Sequence, residues 1–166
     1  MRTLFIITCL ANIAFAFGTL PWMPEKAAIH FGLDGTADRF VTPMESAIEM
    51  SLTIGLLVVV LLGIPLSMSM SIMPDFCVNI PNRKYWLNEK NRPQTIRRLR
   101  SFLDFVGIGF CLLFLFIQWE NFQANQRVPV ELNMTTVWIS TGIFVIFVLV
   151  ESIRLHLVFR LPKGEE

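Results

Sequence analysis

The sequence predicts an all-α membrane protein with four transmembrane helices, cytoplasmic N and C termini, and a structured external loop after helix one. Three observations carry this. Of the 166 residues, 54% are hydrophobic and 16% charged, against about a quarter charged in ordinary soluble domains. The apolar residues fall in blocks, and the basic residues fall almost wholly to one side of those blocks.

Four stretches carry at most one ionisable residue each: Thr3 to Pro24, Met50 to Pro74, Phe102 to Trp119, and Leu132 to Val150. A helix needs roughly 20 apolar residues to cross about 30 Å of hydrocarbon. The four stretches predict spans at about 3–20, 47–73, 102–120 and 133–152, in one integral membrane domain over 1–166. The first resembles a signal peptide, with Arg2 before an apolar run and Ala14-Phe15-Ala16 as a cleavage-like site. A retained helix suits the charge distribution better.

Lys and Arg favour cytoplasmic loops. One side of the four spans collects Arg2, seven basic residues between Arg83 and Arg100, and then Arg154, Arg160 and Lys163. The other side has only Lys26, Arg39 and Arg127. This places both termini in the cytoplasm and the chain in the inner (cytoplasmic) membrane as a multi-pass protein.

Pro21 and Pro24 stop the first helix, and Gly32 and Gly35 mark turns in a compact, extended or hairpin-like external loop. Thr42-Pro43-Met44-Glu45 has the form of a capping box, so a helix should begin at Pro43. If it runs to Met73 it outreaches the hydrocarbon, with Pro65 as a bend. Gly55 and Gly63, with Ser67, Ser69 and Ser71, favour close helix contact there. Asn91-Arg92-Pro93-Gln94 has the form of another cap, opening a helix that leads into the third span. Asp104 in that span follows Arg100 by four residues, which predicts an ion pair near the cytoplasmic end. Asn121 to Asn133 forms a short external connector before the fourth span, which Glu151, Arg154 and His156 return to the cytoplasm.

The residues from Leu20-Pro21 through His30-Phe31, Gly35 and Asp38-Arg39-Phe40, then Ile80-Pro81-Asn82-Arg83-Lys84-Tyr85-Trp86-Leu87, resemble the SdpI-like bacterial membrane proteins and their related domain of unknown function. The resemblance covers roughly the first 120 residues. It implies an immunity protein that protects a bacterium from a secreted toxin and holds a soluble repressor at the membrane.

The candidate partner-binding residues are Trp22, His30, Phe31, Asp38 and Arg39, which combine aromatic and charged groups outside the bilayer. His30, Asp34 and Asp38 recur every fourth residue, but Gly32 and Gly35 oppose the helix that would align them as metal ligands. A turn held by Asp side chains is expected instead. Glu45 and Glu49 lie a turn apart, and Glu120 can approach from the third span to complete a carboxylate cluster, though acidic groups also suit a helix N-terminus. Cys9, Cys77 and Cys111 are read as packing residues rather than a disulfide framework.

Arg83 to Arg100 carries seven basic residues against Glu89, a formal +6. Arg83, Lys84, Arg97, Arg98 and Arg100 are therefore candidates for anionic lipid headgroups or a cytoplasmic partner, at about 1 kcal/mol per basic residue near the surface. The same charges already serve orientation, so nucleic acid is not expected as a partner. No nucleophile set, zinc motif or phosphate loop is present, and neither enzyme activity, metal nor cofactor is expected. Two functions follow: a binding or signalling protein that recognises an extracellular peptide or partner, or an accessory subunit of a larger membrane complex. The few polar groups in the spans argue against a transporter or channel.

Overall fold

The computed structural model describes residues 1–161, and Lys163 lies outside the described residues. In order, the elements are α1 (Arg2–Gly18), β1 (Ala27–Phe31), β2 (Ala37–Val41), α2 (Pro43–Ser69), a short α3 (Arg83–Trp86), α4 (Arg92–Asn125) and α5 (Met134–Val158). The fold is mostly helical. Four helices, α1 with its following turn, α2, α4 and α5, are long and apolar enough to cross a membrane, which is the architecture of a multi-pass membrane protein.

The middle of the bundle is a three-helix core in which α4 packs against α1 and α2. Phe5, Cys9, Ile54, Leu61, Ile108 and Cys111 fill it. Gly107 makes the close approach possible: a Cβ there would stand 2.6 Å from the Phe5 ring and 2.8 Å from Leu61. Gly55 and Gly63 do not have the role expected of them, since a methyl added at either would meet nothing within 4 Å. Those two glycines face away from the neighbouring helices. Packing contacts come instead from α4, whose Gly109 also receives Phe147 of α5.

The capping box at the start of α2 forms as the sequence predicts. Glu45 N–H donates to the Thr42 hydroxyl at 3.2 Å, and Thr42 N–H donates back to the Glu45 carboxylate at 2.8 Å. The far end departs from expectation, because α2 stops at Ser69 rather than Met73. Ser71 adopts a left-handed φ of 56°, its N–H donates to Met68 O, and Ile72 N–H donates to Ser67 O. These two bonds are a Schellman termination. The position usually holds glycine, so a serine there conceals the stop.

The predicted cap at Asn91 also differs. The helix starts at Arg92, but the Asn91 side chain makes no cap and donates instead to Tyr85 O at 3.1 Å. Thr95 ties the segment down by donating to Trp86 O at 2.6 Å. Asn133, which the sequence reading passed over, caps α5 by accepting from Thr136 N–H.

The basic end has its own core of Met68, Val78, Ile80, Trp86, Leu87, Leu99 and Phe159. Trp86 Nε1 donates to Phe159 O at 2.8 Å, and the two rings meet edge-on at 5.4 Å. Asp104 is 2% exposed and lies 2.9 Å from Arg2 rather than against Arg100. It faces α1 in the bundle interior, whereas Arg100 is on the exposed face of α4.

Candidate functional site

The segment after α1 is a two-stranded antiparallel hairpin that pairs Ala27 with Val41, Ala28 with Phe40, His30 with Arg39, and Phe31 with Ala37. The register shifts about Ile29 and again beyond His30, as bulges do. The turn between the strands needs Gly35, whose φ is 87° and whose absent Cβ would collide with the Leu132 carbonyl. Asp34 accepts from the Thr36 N–H and hydroxyl at 3.1 and 2.8 Å. These bonds hold its carboxyl below the usual carboxylate range. This is the Asp-held turn that the sequence predicts.

Helix α4 fixes the hairpin from behind. It continues to Asn125, through the first part of what the sequence reads as a connector from Asn121 to Asn133. The extra turns serve the hairpin. Ala28 N–H donates to Asn125 Oδ1 at 2.7 Å, while Asn125 Nδ2 and Asn121 Nδ2 both donate to Ala28 O at 3.0 Å. One side-chain amide thus satisfies both polar groups of a buried strand residue, as a neighbouring strand would. Leu132 N–H donates to Gly35 O at 2.9 Å and Gln126 Nε2 to Trp22 O at 2.8 Å. Sequence reasoning missed this clamp. Its signal is the spacing of Asn121 and Asn125, which places two short amides on one face of a helix.

The expected partner-binding residues are mostly exposed on this platform. His30 Nδ1 and Asp38 Oδ1 stand 2.6 Å apart across the strands. Arg39 donates to Glu49 at the start of α2 at 2.7 Å. Trp22 is 66% exposed, whereas Phe31 is half-buried. The hairpin thus carries two separate pairs, His30 with Asp38 and Arg39 with Glu49, the second of which the sequence did not suggest.

The carboxylate cluster of Glu45, Glu49 and Glu120 does not form. Glu45 is engaged by Thr42, whose backbone and hydroxyl, together with the Arg39 charge, hold its carboxyl below the usual range. Glu49 pairs with Arg39, and Glu120 lies 3.1 Å from the Thr136 hydroxyl on α5. Among the described residues, no three His, Cys, Asp or Glu side chains converge as a metal centre would require.

On the basic end, Lys84, Arg97 and Arg100 are exposed. Arg98 is not free for headgroups: its guanidinium lies 4.6 Å over the Trp86 ring and donates to Val158 O at 2.9 Å. Arg83 donates to Phe76 O at 3.2 Å, and Arg92 pairs with Asp75 at 2.6 Å. Part of the basic run is thus spent on holding the connector against the helix ends.

No protein-family model matches the chain, and no curated protein or solved structure matches it.

Proposed function

We propose that this protein is a binding and signalling protein of the bacterial inner membrane, of the SdpI-like immunity type, with both termini in the cytoplasm and the hairpin outside. Its hairpin recognises an extracellular peptide through Trp22, His30, Asp38 and Arg39, with Phe31 beside them, and the basic connector relays the event or meets anionic headgroups. The observation that carries this reading is a division of labour. The hairpin is held by backbone bonds to Asn121, Asn125 and Leu132, which leaves His30, Asp38 and Arg39 exposed. Pre-organised backbone with spare side chains lowers the ordering cost of binding. The eleven-to-three division of basic residues supports the orientation.

A second reading, the accessory subunit, is favoured by α5. Glu151 is its one buried residue, and its main helix contact is α4. A partner helix would cover that face as well as lipid does.

A photo-reactive phenylalanine analogue at Trp22 distinguishes the two in intact cells. Recognition predicts a small peptide adduct that is lost in the His30→Asn, Arg39→Gln double variant. A stoichiometric adduct to a large membrane protein, unchanged by those substitutions, would establish the subunit reading instead.

A further inference from the structure

Beneath the hairpin, between the outer ends of α1, α2 and α4, lies a cavity of about 220 Å³. Its walls are mostly apolar, with Phe15, Met50 and Phe122 among them, and Gln118 and Glu49 supply polar groups together with the neutral Ser46, Thr53 and Asn121. None of the residues assigned to hairpin recognition lines it.

The polarity of Gln118 can be worked out from its neighbours. Asn12 is fully buried, and its Nδ2 donates to Thr8 O at 2.8 Å and Cys111 O at 2.9 Å. Two carbonyls can face only the NH₂ group, so Asn12 Oδ1 must point the other way. There it accepts from Gln118 Nε2 at 2.8 Å. Gln118, 8% exposed, is therefore left with its carbonyl oxygen for the cavity, and no described group donates to it. Glu49 spends Oε1 on Arg39 and leaves its second oxygen free of hydrogen bonds. Both groups offer acceptors, and one is charged.

We infer that this cavity is a binding site for a small apolar amine, whose ammonium meets Gln118 Oε1 or Glu49 and whose hydrocarbon body fills the Phe15, Met50 and Phe122 walls. A carboxylate of the same shape would meet the Gln118 carbonyl and the negative charge of Glu49, with only neutral donors such as the Ser46 hydroxyl to set against them. The space exceeds the roughly 150 Å³ of a cavity that takes up benzene, so a ring with a short aminoalkyl arm fits. This site touches the recognition proposed for the hairpin through Glu49, which Arg39 holds, but the substitutions that test it leave that pair intact, so it can fail or stand without that reading.

The test is binding of 2-phenylethylamine and of 3-phenylpropionate to the whole protein in nanodiscs, followed by saturation-transfer NMR with empty nanodiscs as the blank. The amine should bind above the blank and the acid should not. Gln118→Met, which removes the acceptor, and Ala16→Leu, which fills the cavity from α1 and leaves the Asn12–Gln118 relay intact, should each weaken the amine about tenfold. Equal signals for amine and acid, an amine signal no greater than the blank, or amine binding unchanged in both variants would each overturn the site and leave a cavity that holds water only.

Discussion

The two ends of this bundle are built on opposite plans. At the basic end, charged side chains are drawn into the structure: Arg98 lies over Trp86, Arg92 pairs with Asp75, and Arg83 reaches a backbone carbonyl. The connector there is held by an aromatic core. At the hairpin end, side-chain amides of α4 grip the strand backbone, and the strands' own charged residues remain exposed. A segment held by its side chains has few left for other work. One held by its backbone keeps them available, and this is why we propose recognition for the hairpin.

The largest expected effect lies at the basic end. Trp86 is 4% exposed and joins α3 to the end of α5. Trp86→Ala should cost about 3–5 kcal/mol, read as a lowered unfolding midpoint in detergent. Retention of the wild-type midpoint would show that this end is not held by its aromatic core.

Next comes the clamp. Asn125→Ala leaves Ala28 N–H without its acceptor and removes one of two donors to Ala28 O, at about 1–3 kcal/mol. The loss should be local, with protease sensitivity rising around residues 25–42 while the helices keep their circular dichroism.

A smaller effect concerns the cap. Thr42→Ala should cost about 1 kcal/mol and should also change the response to acid. Glu45 has a folded-state pKa below its ordinary value, so its contribution is present above the ordinary carboxylate pKa and is lost as pH falls through the depressed one. Wild-type stability should fall across that acidic window. Thr42→Ala keeps the backbone donor to Glu45 and removes the hydroxyl, so it should flatten the fall in part, and a slope identical to wild type would show that the hydroxyl does not help lower Glu45.

The smallest effect should come from Arg39→Gln. Its pair with Glu49 is about half exposed on both sides, and such surface pairs are worth about 0–1 kcal/mol. A midpoint shift well beyond that range would place Arg39 among the structural residues.

Much of the helical frame was legible in the sequence, because apolar blocks, prolines and the Thr42 to Glu45 box act locally. What escaped depends on partners distant in the chain. Asp104 lies a helical turn from Arg100, but its burial against α1 selects Arg2. Gly55 and Gly63 suit close packing by type alone, yet only the rotation of each helix decides which glycines face a neighbour. The Ser71 stop was missed because glycine is its usual sign. Within the candidate site, the exposed His30, Asp38 and Arg39 were legible as charges outside the spans. The Asn121 and Asn125 clamp was not, because it requires knowing that α4 continues past the last apolar residue, and neither was the Asn12–Gln118 relay, since two isolated amides in different spans carry no local pattern.

Hydrogen–deuterium exchange over residues 25–42 tests the division of labour most directly, with wild type compared against Asn125→Ala and the His30→Asn, Arg39→Gln double variant. The hairpin should stay protected in the double variant and exchange rapidly in Asn125→Ala. Collapse of protection in the double variant, with Asn125→Ala unchanged, would mean that the exposed side chains are the scaffold and would contradict the account.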